Sequence, residues 1–196
     1  GNILMDTLRF NHQRFARPAV MDNLGLTEKR YIVFTLNRKA IIGNDDELRA
    51  LLVSMMSHTG DIPVVAPLRQ LAADAVQCIV NENPLLFENL HIVEPLDYLH
   101  FGYLTANALG VVTDSGNVAE EATFNTVPCI TLNSYTEHIE TVKVGSNVLV
   151  GEDPVLLGEE MVRMVDGKWK HCGIPERWDG RSAERIVQTL LECAAK

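Results

Sequence analysis

Apolar, β-rich runs alternate with segments of helical spacing along nearly the whole chain. The runs YIVFTL (31–36), IPVVAP (62–67), HIVEP (91–95), LGVVTD (109–114), PCITL (128–132) and NVLVG (147–151) read as strands. Between them, Leu48, Leu51, Leu52, Met55 and Met56 fall on one face of a helix over 44–59. Leu99, Tyr103, Leu104 and Ala108 do the same over 97–108. A last helix is expected over 181–195, carrying Ile186, Val187, Leu190 and Leu191, with Asp179 in WDGRS (178–182) as its cap. No internal repeat or low-complexity tract breaks the pattern.

Strands that are apolar throughout and separated by helices predict a parallel sheet covered on both faces. With right-handed crossovers this is an α/β, Rossmann-like doubly wound parallel sheet. Such sheets bind ligands at the carboxyl ends of their strands, where the following helices begin. The stretch GVVTDSGNVAEEATFNTVPCITL (110–132) lies at one of those places. It runs from a strand through Thr113-Asp114-Ser115-Gly116-Asn117 to two adjacent acids, Glu120 and Glu121.

A helix beginning near Gly116 leaves the amides of Ser115, Gly116 and Asn117 unpaired and pointing outward, a ready site for phosphate. Gly116 has no Cβ to hold a phosphate away, and Ser115 adds a hydroxyl donor. Glu121 lies six residues past Ser115, ~9 Å along a helix, a suitable distance for a carboxylate to take the ribose of a nucleoside diphosphate. The same residues also fit an ordinary capped helix with two solvated acids, and residue types alone do not separate the two. GxGxxG and GxxxxGK[ST] are both absent. Asp114 is expected to cap or buttress the turn. Glu120 is expected to point away from the ligand, since helix neighbours do not face the same way.

Composition narrows the class. With 196 residues, 46% hydrophobic content and a mean hydropathy of +0.03, the chain reads as one large or two small globular domains. No run approaches the ~18 apolar residues of a membrane span, and the N-terminus lacks the pattern of a secretory signal. Beginning at Gly1 rather than Met, the chain is expected to be a piece of a longer one. Seventeen basic against 26 acidic residues give a net charge of -9, which disfavours nucleic-acid binding. Backbone amides can still attract one small anion. Cys78, Cys129, Cys172 and Cys193 form no CxxC pair; Cys78 and Cys129 lie in strand-like runs and are expected as buried free thiols. A reducing cytoplasm follows, with no disulfide framework, no zinc site and no membrane partner. His12, His58, His91, His100 and His171 have no spacing that suggests a metal, and Lys168-Trp169-Lys170 reads as a loop.

The sequence resembles the C-terminal half of the non-hydrolysing UDP-N-acetylglucosamine 2-epimerases over almost its whole length. GNILMDTL at the start looks like the family's interdomain segment. EPLDYLHFGYLTANALGVVTDSGNVAEEATFNTVPCITL looks like its nucleotide-binding core. TEHIETVKVGSNVLVG and IPERWDGRSAERIV resemble later motifs. The resemblance implies residues 1–28 as an interdomain segment with a lead-in helix, and 29–196 as the C-terminal, nucleotide-sugar-binding domain of a two-domain glycosyltransferase-B-like fold. It implies that Ser115 and Gly116, with Asn117 at the next position, hold the diphosphate, that Glu121 holds the ribose, and that the Phe101 region lines the uracil pocket. Core packing fits Phe101 equally well, and its main chain can serve both. No cofactor is implied, and the whole protein is expected as a homodimer.

Several positions depart from the family's pattern. Thr35-Leu36-Asn37-Arg38 stands where the family has Thr-x-His-Arg, so an amide that cannot exchange a proton near neutral pH replaces an imidazole. Asn117 replaces a second glycine and is expected to tolerate positive φ there. His138 in TEHIE and Asn133 both replace arginines, and a His-Pro-Arg segment gives way to PLRQL (67–71), with only Arg69 to spare. Loss of cationic groups predicts weak nucleotide affinity. The leading expectation is therefore the UDP-sugar-binding half of an epimerase-like isomerase, inactive without the N-terminal domain that carries the proton-transfer carboxylates. A non-catalytic binding or interaction module is the alternative, and a glycosyltransferase of the same architecture a third that the TDSG…EE text disfavours.

Overall fold

The computed structural model describes residues 1–195. Helices α1 (Leu4–Asn11) and α2 (Ala19–Asn23) lead into β1 (Ile32–Thr35), followed by α3 (Lys39–Ile42), α4 (Asp45–Ser57) and β2 (Val64–Pro67). Then come α5 (Gln70–Glu82), β3 (Leu90–Val93), α6 (Tyr98–Ala106), β4 (Gly110–Thr113) and α7 (Gly116–Phe124). The chain closes with β5 (Cys129–Thr131), α8 (Ile139–Lys143), β6 (Asn147–Leu149), α9 (Pro154–Val165) and α10 (Ser182–Ala194). The six strands form one sheet in the order β3-β2-β1-β4-β5-β6, every pairing parallel. This is the doubly wound arrangement expected from the alternating runs.

Burial on both faces explains why the strands are apolar without alternation. Ile32, Phe34, Val64, Ala66, Val112 and Ile130 face the layer built from α3, α4, α5 and α9. Tyr31, Val33, Val65, Val111 and Cys129 face α2, α6 and α7. The five apolar residues expected on one face of α4 are all buried there, and Asn44 caps that helix by accepting the Glu47 amide. Leu104 on α6 and Ala108 just past its end enter the second layer, with Asp97 capping the helix.

Two expectations fail. Cys78 lies exposed on α5, not in a strand: Ala72, Val76 and Ile79 occupy that helix's inner face at helical spacing, and Cys78 falls outside it. Asp179 does not cap α10. The amides of Ser182 and Ala183 are taken by the carboxylate of Asp6 on α1, at 3.0 and 2.8 Å. Asp179 instead binds the Arg185 guanidinium, which holds its carboxyl down at about 2. Helix α10 therefore hangs on α1 and buries little else. Ile186, Val187, Leu190 and Leu191 remain exposed along one side. A small cluster of Met5, Leu8 and Trp178 anchors α1 beneath it.

Candidate functional site

Strand order reverses between β1 and β4, and the loops leaving these two strands meet at the sheet's carboxyl edge. The Thr35 and Thr113 hydroxyls, 2.7 Å apart, tie the strand ends together. Beyond them, Asp114 Oδ2 accepts the main-chain amides of Asn37 at 2.7 Å and Arg38 at 2.5 Å. Asp114 thus acts as a buttress between loops. Asn133, after β5, donates through Nδ2 to the Asp114 carbonyl at 3.2 Å, which draws the third loop into the same knot. Asp114 Oδ1 and Asn133 Oδ1 are buried without a partner.

The turn carries less open donor capacity than the sequence suggested. The Ser115 amide bonds the Thr113 hydroxyl at 3.0 Å, leaving those of Gly116 and Asn117 in the first turn of α7 with no preceding helical carbonyl to bond. The Ser115 side chain makes no capping bond. Asn117 needs no positive φ, because it already lies inside the right-handed helix. A Cβ built on Gly116 would meet only His138 Cδ2, at 3.9 Å. The bareness of Gly116 therefore leaves open space above the helix start rather than relieving a clash.

That space is an open cleft rimmed by Arg38, Ser115, Gly116, Asn117, Asn133 and His138. Arg38 donates to Glu152 at 2.6 Å, so its guanidinium is already engaged. His138 caps α8, its amide bonding the Thr136 hydroxyl at 3.1 Å and its carbonyl taking the Thr141 hydroxyl at 2.8 Å. Its Nδ1 lies 3.0 Å from Glu120 Oε1. Glu120 is only 3% exposed and also receives the Asn2 side-chain amide. Burial raises the Glu120 carboxyl above the usual range, while His138 and Asn2 oppose that rise. Glu120 does not line the cleft itself but faces the cavity behind it, beside Asn2 and Glu140, and reaches the cleft's rim only through His138. Residue spacing could not reveal the pairing, because α8 and the N-terminal segment reach Glu120 only through the fold.

A second cleft opens on the other side of Ser115, between Asn37, Arg69, Pro95, Leu96, Phe101 and Val118. Asn37, Arg69 and Phe101 are thus brought together. The Phe101 amide is committed to the Asp97 carbonyl at 2.8 Å, and its carbonyl accepts the Thr105 hydroxyl at 3.0 Å. Glu121, one of the buried residues of α7 at 8% exposure, lines neither cleft, and burial followed by the charge of Glu120 raises its carboxyl to about 7. Its charge is felt by the Tyr98 phenol on α6. Lys170 binds the carbonyls of Val142 and Asn147, and Trp169 that of Ser146, so this segment secures β6 rather than forming a basic patch. Among the described residues no group of three or more His, Cys, Asp or Glu side chains is arranged to hold a metal, and no helix is long and apolar enough to cross a membrane.

Fold and site together define a doubly wound α/β domain with its candidate ligand clefts at the topological switch point. The family profile described as UDP-N-acetylglucosamine 2-epimerase matches residues 1–191, and the chain belongs to that family. A UDP-N-acetylglucosamine 2-epimerase of Methanococcus maripaludis is 36% identical over 170 residues, covering 83% of this chain and 45% of the relative. One from Methanocaldococcus jannaschii is 44% identical over 105 residues, or 53% of this chain and 28% of the relative. The crystal structure of the Methanocaldococcus jannaschii enzyme in complex with UDP-GlcNAc and UDP superposes with a TM-score of 0.76 at 28% identity, covering 96% of this chain and 54% of that one. The chain spans about half the length of these relatives or less. Its architecture is that of the C-terminal domain of a two-domain glycosyltransferase-B-like fold.

Proposed function

We propose that this chain is the UDP-sugar-binding half of an epimerase-like isomerase, with the diphosphate seated on the turn Ser115-Gly116-Asn117. The observation that carries this reading is the helix start at the switch point, with two amides free of helical partners and no atom nearer than His138 Cδ2, at 3.9 Å, to where a Cβ on Gly116 would stand. Arg38 and His138 flank that turn, and Asn37 and Phe101 line the adjoining cleft where the nucleoside would lie. Glu121, one turn below, is the group for the ribose. The Methanocaldococcus jannaschii relative, seen with UDP-GlcNAc and UDP, supports the ligand class.

In the whole protein the reaction would be C2 epimerisation by elimination and re-addition of UDP, with the proton-transfer carboxylates on an N-terminal domain. Residues 1–28 would join the two halves, and the uncovered apolar side of α10 suits contact with the other half. A homodimer in the cytoplasm is part of the same proposal. The amides at Asn37 and Asn133 and the imidazole at His138, in place of cations and a proton carrier, favour a second reading as a binding module without catalysis. Calorimetric titration of this chain with UDP-N-acetylglucosamine, UDP and inorganic phosphate tests the binding. Micromolar to millimolar affinity for the two nucleotides and weaker affinity for phosphate are expected; failure of both nucleotides to bind would refute the assignment.

A further inference from the structure

The contact between His138 and Glu120 has a chemical consequence at the proposed diphosphate site. Nδ1 of the ring is 3.0 Å from Glu120 Oε1, whereas the Cδ2 side, which carries Nε2, lies over Gly116 and the cleft. Only Nε2 is therefore available to an anion in the cleft. When Nδ1–H donates to an ionised Glu120, Nε2 of the neutral ring is an acceptor and faces a phosphate oxygen lone pair to lone pair. The other neutral tautomer places N–H at Nε2 but turns a bare Nδ1 toward the carboxylate. Both arrangements are unfavourable. One additional proton on the pair removes the conflict, whether it completes the imidazolium or protonates Glu120 so that the carboxyl donates to Nδ1.

We propose that binding of a nucleotide diphosphate at this turn is coupled to uptake of one proton by the His138–Glu120 pair, which makes the site a pH-responsive anion receptor. This rests on the nucleotide reading above. The charged side chains around the ring are Glu120 on α7, Glu137 beside it, Glu140 on α8 and Arg38 across the cleft. Glu120, Glu137 and Glu140 favour the extra proton, and Arg38 is offset by Glu152. Asn2 donates to the same Glu120 oxygen as His138, so the N-terminal segment competes for the carboxylate that sets the ring's protonation. An arginine at position 138 would be charged throughout and would not show this behaviour.

The test is titration of the 196-residue chain with UDP-N-acetylglucosamine, whose phosphates stay ionised throughout, at about pH 7.5 in Pipes and in Tris, buffers with different heats of ionisation. The expected result is an apparent enthalpy that differs between the buffers by the uptake of a substantial part of one proton. Affinity should then fall by up to about tenfold per pH unit above neutrality. His138→Gln should abolish the uptake and weaken binding. Glu120→Gln offers the ring a neutral partner and should abolish the uptake while raising affinity at about pH 8. Binding with identical heats in both buffers and a flat pH profile would overturn the proposal and leave the nucleotide reading standing. No binding at any pH would overturn both. The unmodified protein decides the matter by itself, so a variant that fails to fold leaves the test intact.

Discussion

Asp114, in the loop leaving β4, accepts the main-chain amide of Asn37, in the loop leaving β1, at 2.7 Å, and the same Oδ2 takes the next amide, that of Arg38. One carboxylate thus fixes the two loops between which strand order reverses. Replacing it leaves two amides without their partner and frees the β1 loop to drift from the cleft. Asp114→Ala should cost about 1–3 kcal/mol. For a domain of this size that lowers Tm by several degrees, on the order of 2–4 °C per kcal/mol. Denaturation monitored by circular dichroism checks it, and an unchanged Tm would show that the loops hold without the buttress.

Glu121 links stability to pH. Its carboxyl is raised from 4.5 to about 7 in the folded protein, chiefly by burial. Between those values the folded state holds a proton that the unfolded state has released. Stability from this group is therefore full at low pH and is lost as pH rises through about 7. Glu121→Gln removes the titration and should stabilise the protein at about pH 8 by something on the order of 2–3 kcal/mol. If the carboxylate takes the ribose, the same variant weakens UDP while barely affecting inorganic phosphate. Urea unfolding at several pH values, paired with calorimetry, reads both effects; equal loss for the two ligands would remove Glu121 from the ribose.

Gly116→Ala separates the ligand's need for space from the fold's. The added methyl meets only His138 Cδ2 at 3.9 Å, an ordinary contact, and alanine is the better helix former. Stability should stay level or rise slightly. Affinity for a diphosphate should fall tenfold or more, because the methyl occupies the approach to the free amides. A variant that binds as well as the parent would place the phosphate elsewhere.

Helix α10 offers a test of a distant cap. Asp6, 176 positions before Ser182, takes the first two amides of the helix. Asp6→Ala should cost about 0.5–2 kcal/mol. Because α10 buries little beyond Ser182, that loss should appear as local opening rather than global unfolding. Faster amide exchange confined to 183–194 is the expected signature, and uniform acceleration across the sheet would contradict it.

The sheet and its layers were legible because parallel strands buried on both sides read as nearly continuous apolar runs, as in Ile32–Thr35 and Gly110–Thr113, which are buried at every position and polar only at their closing threonines. The helix start after β4 was legible because Asp-Ser-Gly punctuation is local chemistry. Partners contributed from distant sequence were not: Asp6 for α10, Asn2 and His138 for Glu120, and Asp114 for the amides after β1. Each is a tertiary hydrogen bond whose two ends carry no mutual spacing. Even the local expectation failed where a nearer acceptor existed, as when Thr113 Oγ1 took the Ser115 amide.

Under the isomerase reading, catalysis by this chain alone should be absent, since the proposed reaction draws its proton carriers from another domain. In the whole protein, Asn37 is the position to change. Its main chain is pinned by Asp114 while its side chain stays exposed at the cleft shared with Phe101 and Arg69. An imidazole there would reach the same space without disturbing the pinned amide, and it can carry charge and exchange protons where an amide cannot. A positioned acid–base group typically supplies ~10²–10⁴ in rate. Asn37→His in the whole protein should therefore raise deuterium incorporation at C2 of UDP-N-acetylglucosamine in heavy water by roughly 10²-fold or more. The readout reports proton exchange even when net conversion is small. Rapid exchange by the unmodified whole protein would show that Asn37 is no handicap and that another group does its work. Absence of exchange in both, with UDP still bound, would favour the binding module over the isomerase.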